Sequence, residues 1–200
     1  MPKRILFYGD SNTYGYDPRG FATPDNAEDD RYRAADRWPD RLAANPAFTV
    51  LADGMNGRMI PHTPAAQAAA CRLLWDSAPL DTVAVMLGTN DLFGPDVPSA
   101  TAIAGRMEAF LRSLPTGPAL LLIAPPPVQL AGGGAERRLN AVSQALPGAY
   151  RTLAASRNIA FADAGAWGIP LAFDGIHFSA PGHWLFAEKL REALYTMFAF

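Results

Sequence analysis

The sequence predicts an α/β fold built on a central parallel sheet of about five strands. Three observations predict it. Short apolar runs recur along the chain, they are continuously apolar rather than alternating, and longer stretches with helical spacing separate them. Continuous apolar character suits parallel strands that are buried on both faces.

Ile5-Leu6-Phe7-Tyr8 is the first strand and Phe48-Thr49-Val50-Leu51 the second. Ala65 to Trp75 reads as a helix, and Thr82 to Leu87 as the third strand. Ile103, Met107, Phe110, Leu111 and Leu114 then recur at helical spacing behind Ser99, which suits an N-cap. Ala119 to Ile123 and Ile159-Ala160-Phe161 supply the fourth and fifth strands. Between them Ala135 to Arg157 is helical in composition, but Pro147-Gly148 is expected to break that helix or start a second one. Phe186, Leu190, Leu194 and Met197 form one face of a final helix, with Pro181 suited to its first turn. A long polar connection, Tyr16 to Asp40, and a proline- and glycine-rich one, Pro125 to Gly134, are expected at the C-terminal edge of the sheet, where open α/β folds bind ligands.

With 200 residues, half of them hydrophobic, the chain is expected to form one domain over 1–200. Its net charge of −2 supplies no field for nucleic acid or an anionic membrane. Cys71 is its single cysteine, which excludes an internal disulfide and a cysteine-based zinc cluster. Ile5 to Tyr8 is too short for a secretory apolar region of about 7–15 residues or a membrane span of about 20. The expectation is a cytoplasmic protein.

Four segments could carry chemistry. Gly9-Asp10-Ser11 follows the first strand, putting a serine at the mouth of the sheet near helix N–H groups that favour developing negative charge. Asp174-Gly175-Ile176-His177 stands just before the last helix. A serine needs a base to take its proton, and the imidazole needs a carboxylate to fix its tautomer. Gly57 follows the second strand, and Gly88-Thr89-Asn90-Asp91 the third. A glycine N–H and an asparagine amide are both suitable oxyanion donors. Each segment alone also fits an ordinary cap or turn.

Taken together and in this order, the four segments resemble the block pattern of the SGNH (GDSL-type) hydrolases. Arg37-Trp38, Gly57-Arg58, Met86 to Asp91, Pro125-Pro126-Pro127 and Asp174 to Phe178 are most similar to its small arylesterase/acyltransferase branch. The resemblance implies a three-layer α/β/α sandwich with strand order 2-1-3-4-5 and no cofactor. It implies Ser11 as nucleophile, His177 as general base and then acid, and Asp174 as the orienting carboxylate. Its oxyanion donors would be the N–H groups of Ser11 and Gly57 and the amide of Asn90. Asp10 and Asp91 are expected to fasten loops.

A small-molecule ester is the expected substrate, and the branch hints at a homo-oligomer. Tyr14, Tyr16, Trp38, Phe93 and Trp167 are candidates to line the substrate pocket. His62 is expected in a loop, His183 in packing or at the surface, and Cys71 as a small apolar side chain. Two departures stand out. Asn12 occupies a position where many members have leucine, with an expected effect on loop packing. Tyr14 and Tyr16 stand where the acyltransferase likeness tends to have tryptophan. The rivals are a carbohydrate deacetylase and a flavodoxin-like module whose Ser11-Asn12-Thr13 loop cradles a phosphate.

Overall fold

A computed structural model describes residues 1–20, 30–94 and 99–199. The five apolar runs become β1 (Lys3–Gly9), β2 (Phe48–Gly54), β3 (Thr82–Met86), β4 (Ala119–Ala124) and β5 (Ala160–Asp163). All neighbouring strands are parallel, in the order β2-β1-β3-β4-β5. Among the described residues, the helices are α1 (Ser11–Tyr14), α2 (Trp38–Ala43), α3 (Pro64–Asp76), α4 (Ala100–Ser113), α5 (Gly134–Arg157) and α6 (Ala180–Phe198).

Successive strand side chains point to opposite faces, so an unbroken apolar run fills two cores at once. Leu6, Tyr8, Val83, Val85 and Leu122 pack with Leu74 of α3, Met107 of α4 and Tyr150 of α5. Ile5, Phe7, Ala84, Met86 and Ile123 pack on the other face with Trp38 and Leu42 of α2 and with Phe186, Leu190 and Leu194 of α6. The result is the expected three-layer sandwich. Each of these large buried side chains contributes roughly 1.5–3 kcal/mol by leaving water, and Phe186→Ala would cost about 3–5 kcal/mol.

Thr63, Ser99 and Ser179 cap α3, α4 and α6 by accepting the N–H groups of Ala66, Ala102 and Gly182. One helix differs from expectation. α5 runs unbroken through Pro147, which lies buried within it. A proline inside a helix forfeits one backbone hydrogen bond. Here its ring packs against Gly165, beyond the end of β5, where the missing side chain leaves it room. Tertiary burial offsets the lost bond, and the helix continues.

The strand register positions the site. Gly9 pairs with Gly54 of β2 and with Met86 of β3, so these three strands end at one level. Chain order reverses at β1, so the connections leaving β1 and β3 run to opposite faces of the sheet, the point at which open α/β folds bind ligands. Gly54 lets α1 lie directly on the end of β2, because a Cβ at that position would collide with the Tyr14 backbone.

Candidate active site

Asp10 leaves β1 in an extended conformation and caps α1, its carboxylate accepting the Asn12 N–H at 3.0 Å. Ser11 is therefore the first residue of a single helical turn, which Gly15 ends in the left-handed region at φ 90°. Trp38 supports this turn by donating its Nε1–H to the Asn12 carbonyl at 2.8 Å. Burial pushes the Asp10 carboxyl up to about 7, against the lowering effects of the Asn12 N–H and the Arg58 charge.

The structure brings the two ends of the sequence pattern together. Ser11 Oγ lies 3.0 Å from His177 Nε2, and His177 Nδ1 lies 2.6 Å from Asp174 Oδ2. The other Asp174 oxygen accepts the N–H groups of Ile176 and His177, each at 3.0 Å. Asp174 thus makes the expected local turn and holds the ring with the same carboxylate. Burial alone would raise its pKa, but the His177 ring and these two N–H groups outweigh it and keep the carboxyl below its ordinary value. With Nδ1–H donated to Asp174, the Nε2 lone pair faces the Ser11 hydroxyl. That arrangement can draw a proton from serine.

Gly175 turns this loop at φ 69° and lies so close to Gln129 that a Cβ would strike its backbone. In exchange, the Gln129 N–H donates to the Gly175 carbonyl at 2.7 Å. This contact joins the Pro125–Gly134 connection to the His177 loop. Asn12 reaches the same loop, accepting the Phe178 N–H at 2.8 Å and donating to the Ile176 carbonyl at 3.3 Å.

The loop after β2 is fastened by Arg58. Its guanidinium donates to the carbonyls of Gly9 and Asp53, pairs with the Asp53 carboxylate and lies over the Tyr8 ring. Asn90 starts a 3₁₀ turn, Asn90–Phe93, and its Nδ2 donates to the Arg58 carbonyl at 3.0 Å. The Asn90 amide therefore stands beside the segment that contains Gly57, an exposed residue at φ 73°. One Asn90 N–H is taken by Arg58, and the second remains as a donor. Asp91 accepts the Ile60 N–H at 3.0 Å and pairs with Arg106 of α4, so it ties loops as expected.

The pocket candidates divide. Tyr16 packs against His177, with ring centroids 4.5 Å apart. Tyr14 donates its hydroxyl to Asp30, which also accepts the Asn56 amide next to Gly57. A strap formed by Asp30 and Arg31, bridged to Tyr16, thereby crosses to the loop after β2. Phe93 is 45% exposed at the end of the Asn90 turn. Trp38 needs correction as a pocket residue: only 1% exposed, it packs edge-on to Phe7 beneath the Ser11 turn and offers a ligand no face. Trp167 lies on the α6 side of the sheet, against Phe186. Residues 21–29, in the middle of the Tyr16–Asp40 connection, lie outside the described residues.

The remaining candidates stay apart from this cluster. His62 is exposed in a loop, and the Cys71 thiol donates to the Ser113 carbonyl. His183 is fully buried between the Tyr32 and Phe178 rings, and burial drives its pKa down to about 3. Among the described residues, no group of three His, Cys, Asp or Glu side chains could hold a metal ion. No helix among them is long and apolar enough to cross a membrane.

Asp30 carried no signal in the sequence, and nothing there pointed to the contacts that Arg58 and Asn12 make. Their partners are carbonyls and side chains that only the fold brings near.

Residues 7–185 match the model of the GDSL-like lipase/acylhydrolase family. The chain belongs to this family. Membership places it among ester hydrolases. A carbohydrate acetylesterase family member from Sinorhizobium meliloti is 28% identical, with a TM-score of 0.81 over 99% of this chain and 100% of that one. The native aryl esterase of M. smegmatis is 27% identical, with a TM-score of 0.76 over 96% of this chain and 99% of that one. Est24, a carbohydrate acetylesterase from Sinorhizobium meliloti, is 24% identical over 98% and 99% of the two chains, and its TM-score of 0.81 is a likeness of fold. No curated protein matches.

Proposed function

We propose that this protein is a serine esterase that hydrolyses small acyl esters through an acyl-enzyme and can pass the acyl group to alcohols. The reading rests on one observation, the unbroken hydrogen-bonded chain from Ser11 Oγ through His177 to Asp174. Ser11 attacks the ester carbonyl while His177 Nε2 takes its proton, and Asp174 stabilises the imidazolium that forms. The N–H groups of Ser11 and Gly57 and the Asn90 amide meet the oxyanion. His177 then returns the proton to the departing alcohol. Water, or a second alcohol, attacks the acyl-enzyme and gives its proton to His177, and the bond from the acyl carbon to Ser11 Oγ then breaks as His177 returns that proton to Oγ.

Small acyl groups fit the likeness to both an aryl esterase and a carbohydrate acetylesterase. The second likeness also supports a carbohydrate O-acetyl esterase as the alternative reading. Turnover of acetylated xylose against aryl acetates separates the two.

The deciding experiment compares Ser11→Ala with the parent on p-nitrophenyl acetate and with a fluorophosphonate label. Turnover is expected to fall by about 10⁴-fold or more, and labelling to disappear. Undiminished turnover in Ser11→Ala would overturn the assignment.

A further inference from the structure

The residue after Ser11 reaches across the fold to the loop that carries His177. The carboxamide of Asn12 contacts two peptide groups, accepting the Phe178 N–H and donating to the Ile176 carbonyl. These are the peptide groups on either side of His177. Holding both restricts the backbone torsions of that one residue, and with them the direction of its Cα–Cβ bond. Only one amide orientation works, because the oxygen must face the N–H and the nitrogen must face the carbonyl.

Asn12 is itself held firmly. Its backbone N–H donates to Asp10 and its carbonyl accepts from Trp38, and the residue is 4% exposed. On the far side of the base loop, Asp174 takes the N–H groups of Ile176 and His177. His177 therefore stands between a carboxylate and a carboxamide. The carboxamide comes from the turn that carries Ser11.

We propose that Asn12 is a positioning residue, coupling the nucleophile turn to the base loop and so setting the distance from Ser11 Oγ to His177 Nε2. Its catalytic consequence rests on the esterase reading above. Leucine has the same branched heavy-atom skeleton but neither donor nor acceptor, so Asn12→Leu leaves the buried Phe178 N–H and the Ile176 carbonyl unpaired. The base loop is then free to shift, and a displacement of about 1 Å from productive geometry can cost about 10²-fold in rate.

The test uses the full chain with Asn12→Leu and Asn12→Asp. It measures p-nitrophenyl acetate kinetics and the downfield proton NMR signal of His177 Nδ1–H, assigned by its loss in His177→Gln. Asn12→Leu is expected to lower kcat about a hundredfold with little change in KM, and to shift or broaden the Nδ1 proton. Asn12→Asp keeps the acceptor for Phe178 N–H. It is expected to recover part of kcat while moving the onset of activity to higher pH, since a nearby carboxylate favours imidazolium.

Either readout remaining at its parental value in Asn12→Leu overturns the proposal. A fallen kcat with an unmoved proton is the result that lost packing alone would give. Should Asn12→Leu fail to fold, an unchanged pH profile and proton in Asn12→Asp overturn it equally. If the parent neither hydrolyses esters nor labels, the esterase reading fails, and the NMR measurement still decides whether Asn12 orients His177.

Discussion

Two sets of a histidine and an aspartate stand in opposite states, one in the loop above the sheet and the other at separate buried positions, His183 in α6 and Asp10 at the end of β1. In the loop, the side chains of His177 and Asp174 are 17% and 23% exposed, and they face each other at 2.6 Å. At the buried positions His183 is 0% and Asp10 1% exposed, and neither is paired with an opposite charge at hydrogen-bond distance. Asp174 is held below its ordinary pKa, while burial pushes Asp10 up to about 7 and His183 down to about 3. Burial penalises whichever form is charged, and a partner reverses that penalty. Residue type alone does not make a proton carrier. His177 and His183 stand six positions apart, and their surroundings alone separate their roles.

Asp174→Asn should break the contrast most severely. An amide nitrogen facing Nδ1 pushes the ring proton to Nε2 and removes the lone pair that faces Ser11. By this argument kcat on p-nitrophenyl acetate falls about 10⁴-fold, with the melting temperature changed far less.

Asp10→Asn should sharpen the contrast through stability. A carboxyl raised from 3.8 to about 7 binds its proton more tightly in the folded state. Stability is therefore full below the unfolded value and falls as pH rises from about 4 to 7, by on the order of 4 kcal/mol. Asparagine still caps α1, so its melting curves should lose that decline. A variant that keeps the parental slope would show that Asp10 is ionised at low cost.

His183→Leu probes the reverse sign. A histidine lowered to about 3 folds in its neutral form. It contributes full stability above pH 6.5, and that contribution drains away as pH falls towards 3, reaching roughly 3 kcal/mol by pH 4. The leucine variant should lose this acid limb in thermal melts while retaining parental ester turnover.

The five strands and both cores were legible in sequence, because a two-sided burial pattern leaves continuous runs such as Val83 to Leu87. The meeting of Ser11, His177 and Asp174 was legible through the block order of their segments, which carries what spacing alone does not. Pro147 was misleading: local propensity says break, and the room beside Gly165 says otherwise. Trp38 was misread as a pocket candidate because an aromatic residue gives no sign of which way it faces. Asn12 was expected to affect only loop packing, since its partners at 176 and 178 lie 164 and 166 positions away. Asp30 gave no signal at all, being one acid among many in a charged connection.

The contact between Ser11 and His177 spans 166 positions. On a growing chain the serine therefore leaves the ribosome long before its histidine has been translated. At about 5–20 residues per second, the interval lasts roughly ten to thirty seconds. No nascent fragment that stops short of residue 177 contains both halves of the pair. On the proposed function, reactivity of Ser11 towards a fluorophosphonate becomes a clock for late folding, silent until the loop that carries His177 has docked.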